Sequence, residues 1–167
     1  MDIEITAGTA DDIDSLEPLW LAMLDHHRRV TGARWPVRGA ADSWERCRAE
    51  YRTWLDEDGA LLLIARPSAP AAGTDPAGYL VCRLRASGPT FDLGARRGEV
   101  DSLVVSDAVR GNGVGSALLR ACKEELRSRG VTYWSIGVVE ANRDAVRLYE
   151  RMGFGSWSRE LLARVDD

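Results

Sequence analysis

Apolar positions along this 167-residue chain switch between a period of two and a period near 3.6, and each switch predicts an element. Ile3 and Ile5 alternate with Glu4 and Thr6, a short strand. Thr9 and Asp12 form a Thr-x-x-Asp helix-start signal. Ile13, Leu16, Trp20, Met23, Leu24 and His27 then recur at helical spacing, with Pro18 set to kink or split the helix. A loop, Thr31 to Gly39, leads to a second helix from Asp42 to about Leu55, carrying Trp44, Cys47, Tyr51 and Trp54 or Leu55 on one face. Strands are predicted at Ala60 to Arg66, Gly78 to Arg85, Gly98 to Val105 and Thr132 to Val139. Pro67 to Pro76 reads as a solvated hairpin loop, and Ala86 to Arg97 as irregular. One or two closing strands are expected between Phe154 and Val165.

The chain is organised around Val104 to Leu119, VVSDAVRGNGVGSALL. A β-branched run ends at Val105, and after a short turn comes Arg110-Gly111-Asn112-Gly113-Val114-Gly115. An amphipathic helix opens straight afterwards. Its apolar side holds Val114, Ala117, Leu118, Ala121, Cys122 and Leu126, and Gly130 stops it. Strand, glycine-rich turn and helix start together suit a phosphate. Glycines allow close backbone approach, the first helical N–H groups lack intrahelical partners, and the helix dipole adds positive potential. Arg110 can add a bidentate contact. No Gly-Lys-Ser/Thr follows, so the turn is not a Walker A loop.

Composition narrows the class. Hydrophobic residues make up 45% and charged residues 29%, which predicts a single globular domain over residues 1–167. A net charge of −4 gives nucleic acid no electrostatic advantage, and no apolar run approaches a membrane span. Cys47, Cys82 and Cys122 match neither a zinc spacing nor a disulfide framework, and Cys122 reads as a buried small hydrophobe. With an acidic N-terminus unlike a signal peptide, the expected location is the cytoplasm. No metal and no membrane or nucleic-acid partner is expected.

A second motif follows downstream, NRDAVRLYERMGF. Asn142 stands at a helix N-cap position, Ala145, Leu148, Tyr149 and Met152 follow at helical spacing, and Gly153-Phe154 closes it. Together the two motifs resemble the GNAT superfamily of N-acetyltransferases, through Arg110-x-x-Gly113-x-Gly115 and Asn142-x-x-Ala145-x-x-Leu148-Tyr149-x-x-x-Gly153-Phe154. The resemblance implies an α/β (α+β) fold. Its mixed, mostly antiparallel sheet would have six or seven strands and about four flanking helices, splayed between the fourth and fifth strands to admit acetyl-CoA. It also implies that backbone amides of Arg110, Gly111, Asn112, Gly113, Val114, Gly115 and Ser116 cradle the pyrophosphate. Leu103, Val104 and Val105 would hold the pantetheine arm, with Asn142 and Tyr149 near the sulfur.

The implied chemistry is direct attack of an acceptor amine on the thioester, with acetyl-CoA as co-substrate. Such an amine has a pKa of about 10.4 in water and arrives protonated, so a base is expected. Glu99 and Asp101 are the candidates, sharing one face if the strand alternation is unbroken; a β-bulge, expected from the resemblance, would change that. Either carboxylate could equally be a solvated strand residue. By the resemblance Tyr149 is the general acid toward the leaving sulfur, unless it only packs on the pantetheine, and the Val105 N–H would polarise the carbonyl. His26, His27 and Trp35 are candidate acceptor contacts; the histidines also suit a helix C-terminus, and the tryptophan a core. The acceptor is expected to be a small-molecule amine. A protein lysine or N-terminal amine, or a non-catalytic acyl-CoA-sensing module, stays open, and a homodimer is compatible with the resemblance.

Overall fold

The structure, a computed structural model, describes residues 2–32, 34–57, 59–68 and 75–166. The centre of the connector at 67–76 lies outside the described residues. The strands are β1 (Ile3–Ala7), β2 (Leu61–Pro67), β3 (Gly78–Ala86), β4 (Arg96–Val105) and β5 (Trp134–Ile136). The α-helices are α1 (Glu17–Thr31), α2 (Ala40–Glu57), α3 (Val114–Ser128) and α4 (Arg143–Arg151). The sheet runs in chain order, β1 to β5, antiparallel as far as β4, with β4 and β5 parallel.

Alternation along the strands sorts side chains into two cores, one on each face of the sheet. Leu61, Leu63, Leu80, Cys82 and Val100 meet Leu118, Leu119, Cys122 and Leu126 of α3 on one face. Leu62, Ile64, Tyr79, Val81 and Val104 meet Ile13, Leu16, Leu19, Trp44, Cys47 and Tyr51 on the other. Val100 and Val104 are four residues apart yet lie in different cores. The cause is a bulge: Val81 pairs with Ser102 while Cys82 pairs with Val100, which leaves Asp101 as the extra residue. One inserted residue reverses every side chain beyond it.

The first helical segment is split at Pro18. A 3-10 turn spans Ala10–Leu16, held at its start by the Asp12 carboxylate, which accepts from the Thr9 N–H at 2.9 Å. The α-helix begins at Glu17, with Pro18 in its first turn, where a missing N–H costs nothing.

The C-terminus departs from expectation. Among the described residues the sheet has five strands, not six or seven, and Phe154 to Val165 joins none. Trp157, Leu161 and Val165 keep a strand's parity, yet they find no sheet edge to pair with among the described residues. Leu161, Leu162 and Val165 stand largely in solvent. The strand expected over Thr132 to Val139 is also shorter, pairing only from Trp134 to Ile136.

Candidate active site

β4 and β5 pair over three positions, Gly98 with Trp134, Glu99 with Ser135 and Val100 with Ile136. Beyond Val100 the two strands part, and a cleft of about 740 Å³ opens between them, within the size range of small-ligand sites. One wall is Asp101 to Val105 and the other Ile136 to Val139; α3 and α4 close two sides and α1 a third.

The bulge decides which backbone groups face this cleft. The Ser106 N–H donates to Ala77 O at 2.9 Å, and Val104 O lies 2.7 Å from where a Cβ on Gly78 would stand. The Ser106 amide and the backbone polar groups of Val104 therefore point at β3, while the Ser106 carbonyl accepts from the Val109 N–H at 3.1 Å. Strand alternation turns those of Leu103 and Val105 the other way, onto the open edge. The Val105 N–H is thus a donor on the cleft side.

Below it lies the glycine turn. Gly111 and Gly113 have φ of 80° and 81°, the left-handed region that side chains with a Cβ avoid. The first bond into α3 is Ala117 N–H to Gly113 O, 2.9 Å. The amides of Gly113, Val114, Gly115 and Ser116 precede it and have no partner four residues back. All four residues line the cleft, so an anion there meets several N–H groups and the positive end of a helix. Arg110 lines the same end, paired to Asp107 at 2.9 Å with both side chains exposed. Such a pair is worth about 0–1 kcal/mol, so a phosphate can take the guanidinium over. These residues fit a pyrophosphate.

Two groups of acid–base character stand at the other end. Tyr149 lines the cleft from α4, and burial pushes its hydroxyl up to about 12. Asn142 caps α4, its Oδ1 accepting from the Ala145 N–H at 3.3 Å. After the helix, Phe154 N–H returns to Tyr149 O and Gly153 N–H to Glu150 O, both at 3.0 Å, a Schellman closure. Phe154 is thereby tucked against Tyr149 and Trp134, ring centroids 6.1 and 4.4 Å away. Opposite lies Asp101, its carboxyl raised above its usual range by burial and by Glu99, partly offset by the Ser102 hydroxyl and Arg83. His26 and His27 of α1 line the cleft as well. Burial, then His26, lowers the His27 pKa, which favours a neutral imidazole.

Comparison with known proteins fits this geometry. Residues 20–154 match the profile of the Acetyltransferase (GNAT) family. The chain belongs to that family. It is 33% identical over 148 residues to a mycothiol acetyltransferase of Thermobispora bispora, covering 89% of this chain and 46% of the relative. A mycothiol acetyltransferase of Propionibacterium freudenreichii is 33% identical over 151 residues, 90% of this chain and 42% of that one. The chain therefore spans less than half the length of these relatives. Its fold resembles that of a GCN5-related N-acetyltransferase from Ralstonia eutropha, with a TM-score of 0.74 at 21% identity, covering 99% of this chain and 100% of that one.

Within this GNAT domain most residues singled out from sequence converge on the cleft: His26, His27, Asp101, Leu103 to Val105, Arg110, Gly111, Gly113 to Ser116, Asn142 and Tyr149. Three do not line it. Glu99 is turned to Arg97, which donates to its Oε2 at 2.7 Å. Asn112 is exposed in the turn, and Trp35 is stacked under Arg34, 5.2 Å from the guanidinium. Met23, Ser102, Asp144, Leu148 and Arg151 line the cleft without having been expected there. Leu148 belonged to the second motif, where it read as core; nothing in the pattern around Met23 or Ser102 marked them. No helix among the described residues is long and apolar enough to cross a membrane.

Proposed function

We propose that this GNAT domain transfers the acetyl group of acetyl-CoA to a primary amine of a small molecule. One observation carries the reading: a single cleft gathers the free amides of α3, the Val105 N–H, Asp101 and Tyr149. Acetyl-CoA supplies the activated acyl group; the remaining work falls to the chain. The amides of Gly113 to Ser116 and Arg110 hold the pyrophosphate. Leu103 and Val105 present backbone groups to the pantetheine arm, and the Val105 N–H polarises the thioester carbonyl. Asp101 accepts the proton of the acceptor ammonium. Its raised pKa brings it closer to the amine than an ordinary carboxylate, which improves it as a base.

Tyr149 is the donor toward the sulfur. With its pKa near 12 it stays protonated through the working range. A thiol titrates at about 8.5, so complete proton transfer from Tyr149 runs uphill. Its contribution is a hydrogen bond to developing negative charge, and the thiolate takes its proton from solvent.

The acceptor end is walled by Met23, His26 and His27 of α1, which supports a small molecule over a protein chain. The test is release of free thiol from acetyl-CoA against a panel of polyamines, amino acids, aminoglycosides and lysine peptides, with acetyl-CoA binding followed by calorimetry. Amines related to mycothiol join the panel on the strength of the relatives' names. Acceptor-dependent release that drops in Tyr149→Phe is the expected result. Binding without release across the panel would favour an acyl-CoA-sensing module instead.

A further inference from the structure

Beneath the cleft three hydroxyls cross the core between the sheet and α2. Tyr79 of β3 and Tyr51 of α2 lie 3.3 Å apart, oxygen to oxygen. Tyr51 donates to Ser102 Oγ at 2.7 Å, and Ser102 donates to Asp101 Oδ2 at 2.7 Å. The first three side chains are sealed: Tyr79 is 0%, Tyr51 1% and Ser102 5% exposed. Around them are the apolar side chains of Ile13, Leu16 and Val81, with Trp44 alongside and the Cys47 thiol as a further polar neighbour of Tyr51.

Each hydroxyl has one hydrogen. Ser102 spends its hydrogen on Asp101 and Tyr51 spends its own on Ser102, so the hydrogen between the tyrosines belongs to Tyr79. The chain therefore runs one way, Tyr79 to Tyr51 to Ser102 to Asp101, and ends on a carboxylate at the cleft. Buried hydroxyls cost stability unless bonded, and phenylalanine would fill both tyrosine sites without that cost. Packing alone does not call for this arrangement. A carboxylate that must be held in one orientation does, because donors in series polarise one another toward the charge.

We propose that Tyr79, Tyr51 and Ser102 are positioning residues for Asp101, occupying Oδ2 and leaving Oδ1 as the single oxygen presented to the acceptor amine. This rests on the reading of Asp101 as the base. As the amine attacks, the nitrogen lone pair forms the bond to the acyl carbon and the sulfur departs with the thioester bonding pair. An ammonium proton, removed first to free that lone pair, goes to Oδ1; the second proton, shed by the nitrogen once it is bonded to the acyl carbon, passes to solvent, which protonates the departing thiolate, while Oδ2 keeps its bond from Ser102. The chain is not a proton exit, since Tyr79 is closed off from solvent. Burial raises both tyrosine pKa values, so both remain donors.

The bulge makes the contact possible. Side chains of neighbouring strand residues normally point to opposite faces; the extra residue at Asp101 brings its carboxylate round to the hydroxyl of the next residue. Other groups that act on Asp101 are Arg83 from β3 and Glu99 from β4. His26 and His27 of α1 share its cleft, and Cys47 of α2 lies behind Tyr51. None of them changes in the variants below.

The test is carboxyl-carbon NMR of the full chain labelled at aspartate, with the Asp101 signal assigned by its loss in Asp101→Asn. Removing a donor to the charged form raises the pKa. Ser102→Ala is expected to move the Asp101 midpoint up by about one pH unit, the worth of one charge-assisted bond. Tyr51→Phe should move it less and Tyr79→Phe least, while Ser102→Thr, which keeps the hydroxyl, restores it. The acid limb of kcat/KM, read by thiol release, is expected to shift in the same order. Tyr51→Phe retains the ring and serves if Ser102→Ala does not fold. An Asp101 midpoint unmoved in folded Ser102→Ala and Tyr51→Phe overturns the positioning chain, whatever the activity. Full turnover in Asp101→Asn overturns the base assignment instead, and the functional use of the chain with it.

Discussion

Gly115 and Leu148 touch: a Cβ on Gly115 would stand 3.2 Å from Leu148 Cδ2. One residue belongs to the glycine turn and the other to the downstream motif, so this contact sets how closely α3 and α4 flank the cleft. Gly115→Ala gains about 1 kcal/mol of helix propensity and displaces a flexible Leu148 terminus at about 0.5–1.5 kcal/mol. Its melting temperature should stay close to that of the parent. Gly115→Val adds branched bulk and should lose about 1–3 kcal/mol, with weaker acetyl-CoA binding by calorimetry because α4 is pushed from the cleft.

Gly113 presents a different constraint. No atom lies within 4 Å of a Cβ built there, yet φ is +81°. Gly113→Ala should therefore cost about 1–2 kcal/mol through backbone strain alone, and Gly113→Asn less. If the turn relieves that strain by rotating its amides, acetyl-CoA affinity falls by about tenfold for each 1.4 kcal/mol lost. Calorimetry on Gly113→Ala and Gly113→Asn should show losses in that order.

Tyr149→Phe removes one hydroxyl and no packing. Acetyl-CoA affinity should be nearly unchanged while kcat falls by about 10²-fold. Because the Tyr149 pKa lies near 12, the parent should show no alkaline decline in kcat from this residue below about pH 11. Unaltered turnover in Tyr149→Phe would remove it from the mechanism.

Asp101 couples function to stability. Its pKa is raised in the folded state, so the folded chain binds that proton more tightly than the unfolded chain. Ionisation therefore opposes folding, fully above the folded pKa and not at all below the unfolded value of about 3.9. Asp101→Asn should melt higher than the parent at pH 7, with the gap closing as pH falls through the carboxylate range. The same variant should be inactive. A lower melting temperature at pH 7 would contradict the assigned direction of the shift.

The helices and the cleft's lower end were legible because their signals are local. Pro18, the Thr9 to Asp12 capping pair, Asn142 and Gly153 each act within a turn of themselves. Gly111 and Gly113 announce a backbone that only glycine enters easily. The upper end was not legible for the opposite reason. Asp101 and Tyr51 are linked through Ser102 by contacts 51 residues apart in sequence, and neither hydroxyl stands out in its own element. The bulge was foreseen only by resemblance; it breaks the alternation that would have shown where Ser102 points. The closing strands failed because a strand needs a neighbouring edge to pair with, and nothing in the local pattern from Phe154 to Val165 says whether one is within reach.

The three-pair contact between β4 and β5 bears on mechanics as well as on ligand entry. It ties the region from β5 onward to the rest of the sheet by a short seam, reinforced where Leu148 of α4 meets Gly115 of α3. Such a seam is a natural boundary for sub-global opening, with its own free energy below that of whole-chain unfolding. A molecule lodged along it contacts both banks and acts as mortar. Each occupied cleft then raises the cost of parting the banks by mass action. Amide exchange in β5 and α4 becomes a gauge of occupancy, read without any turnover at all.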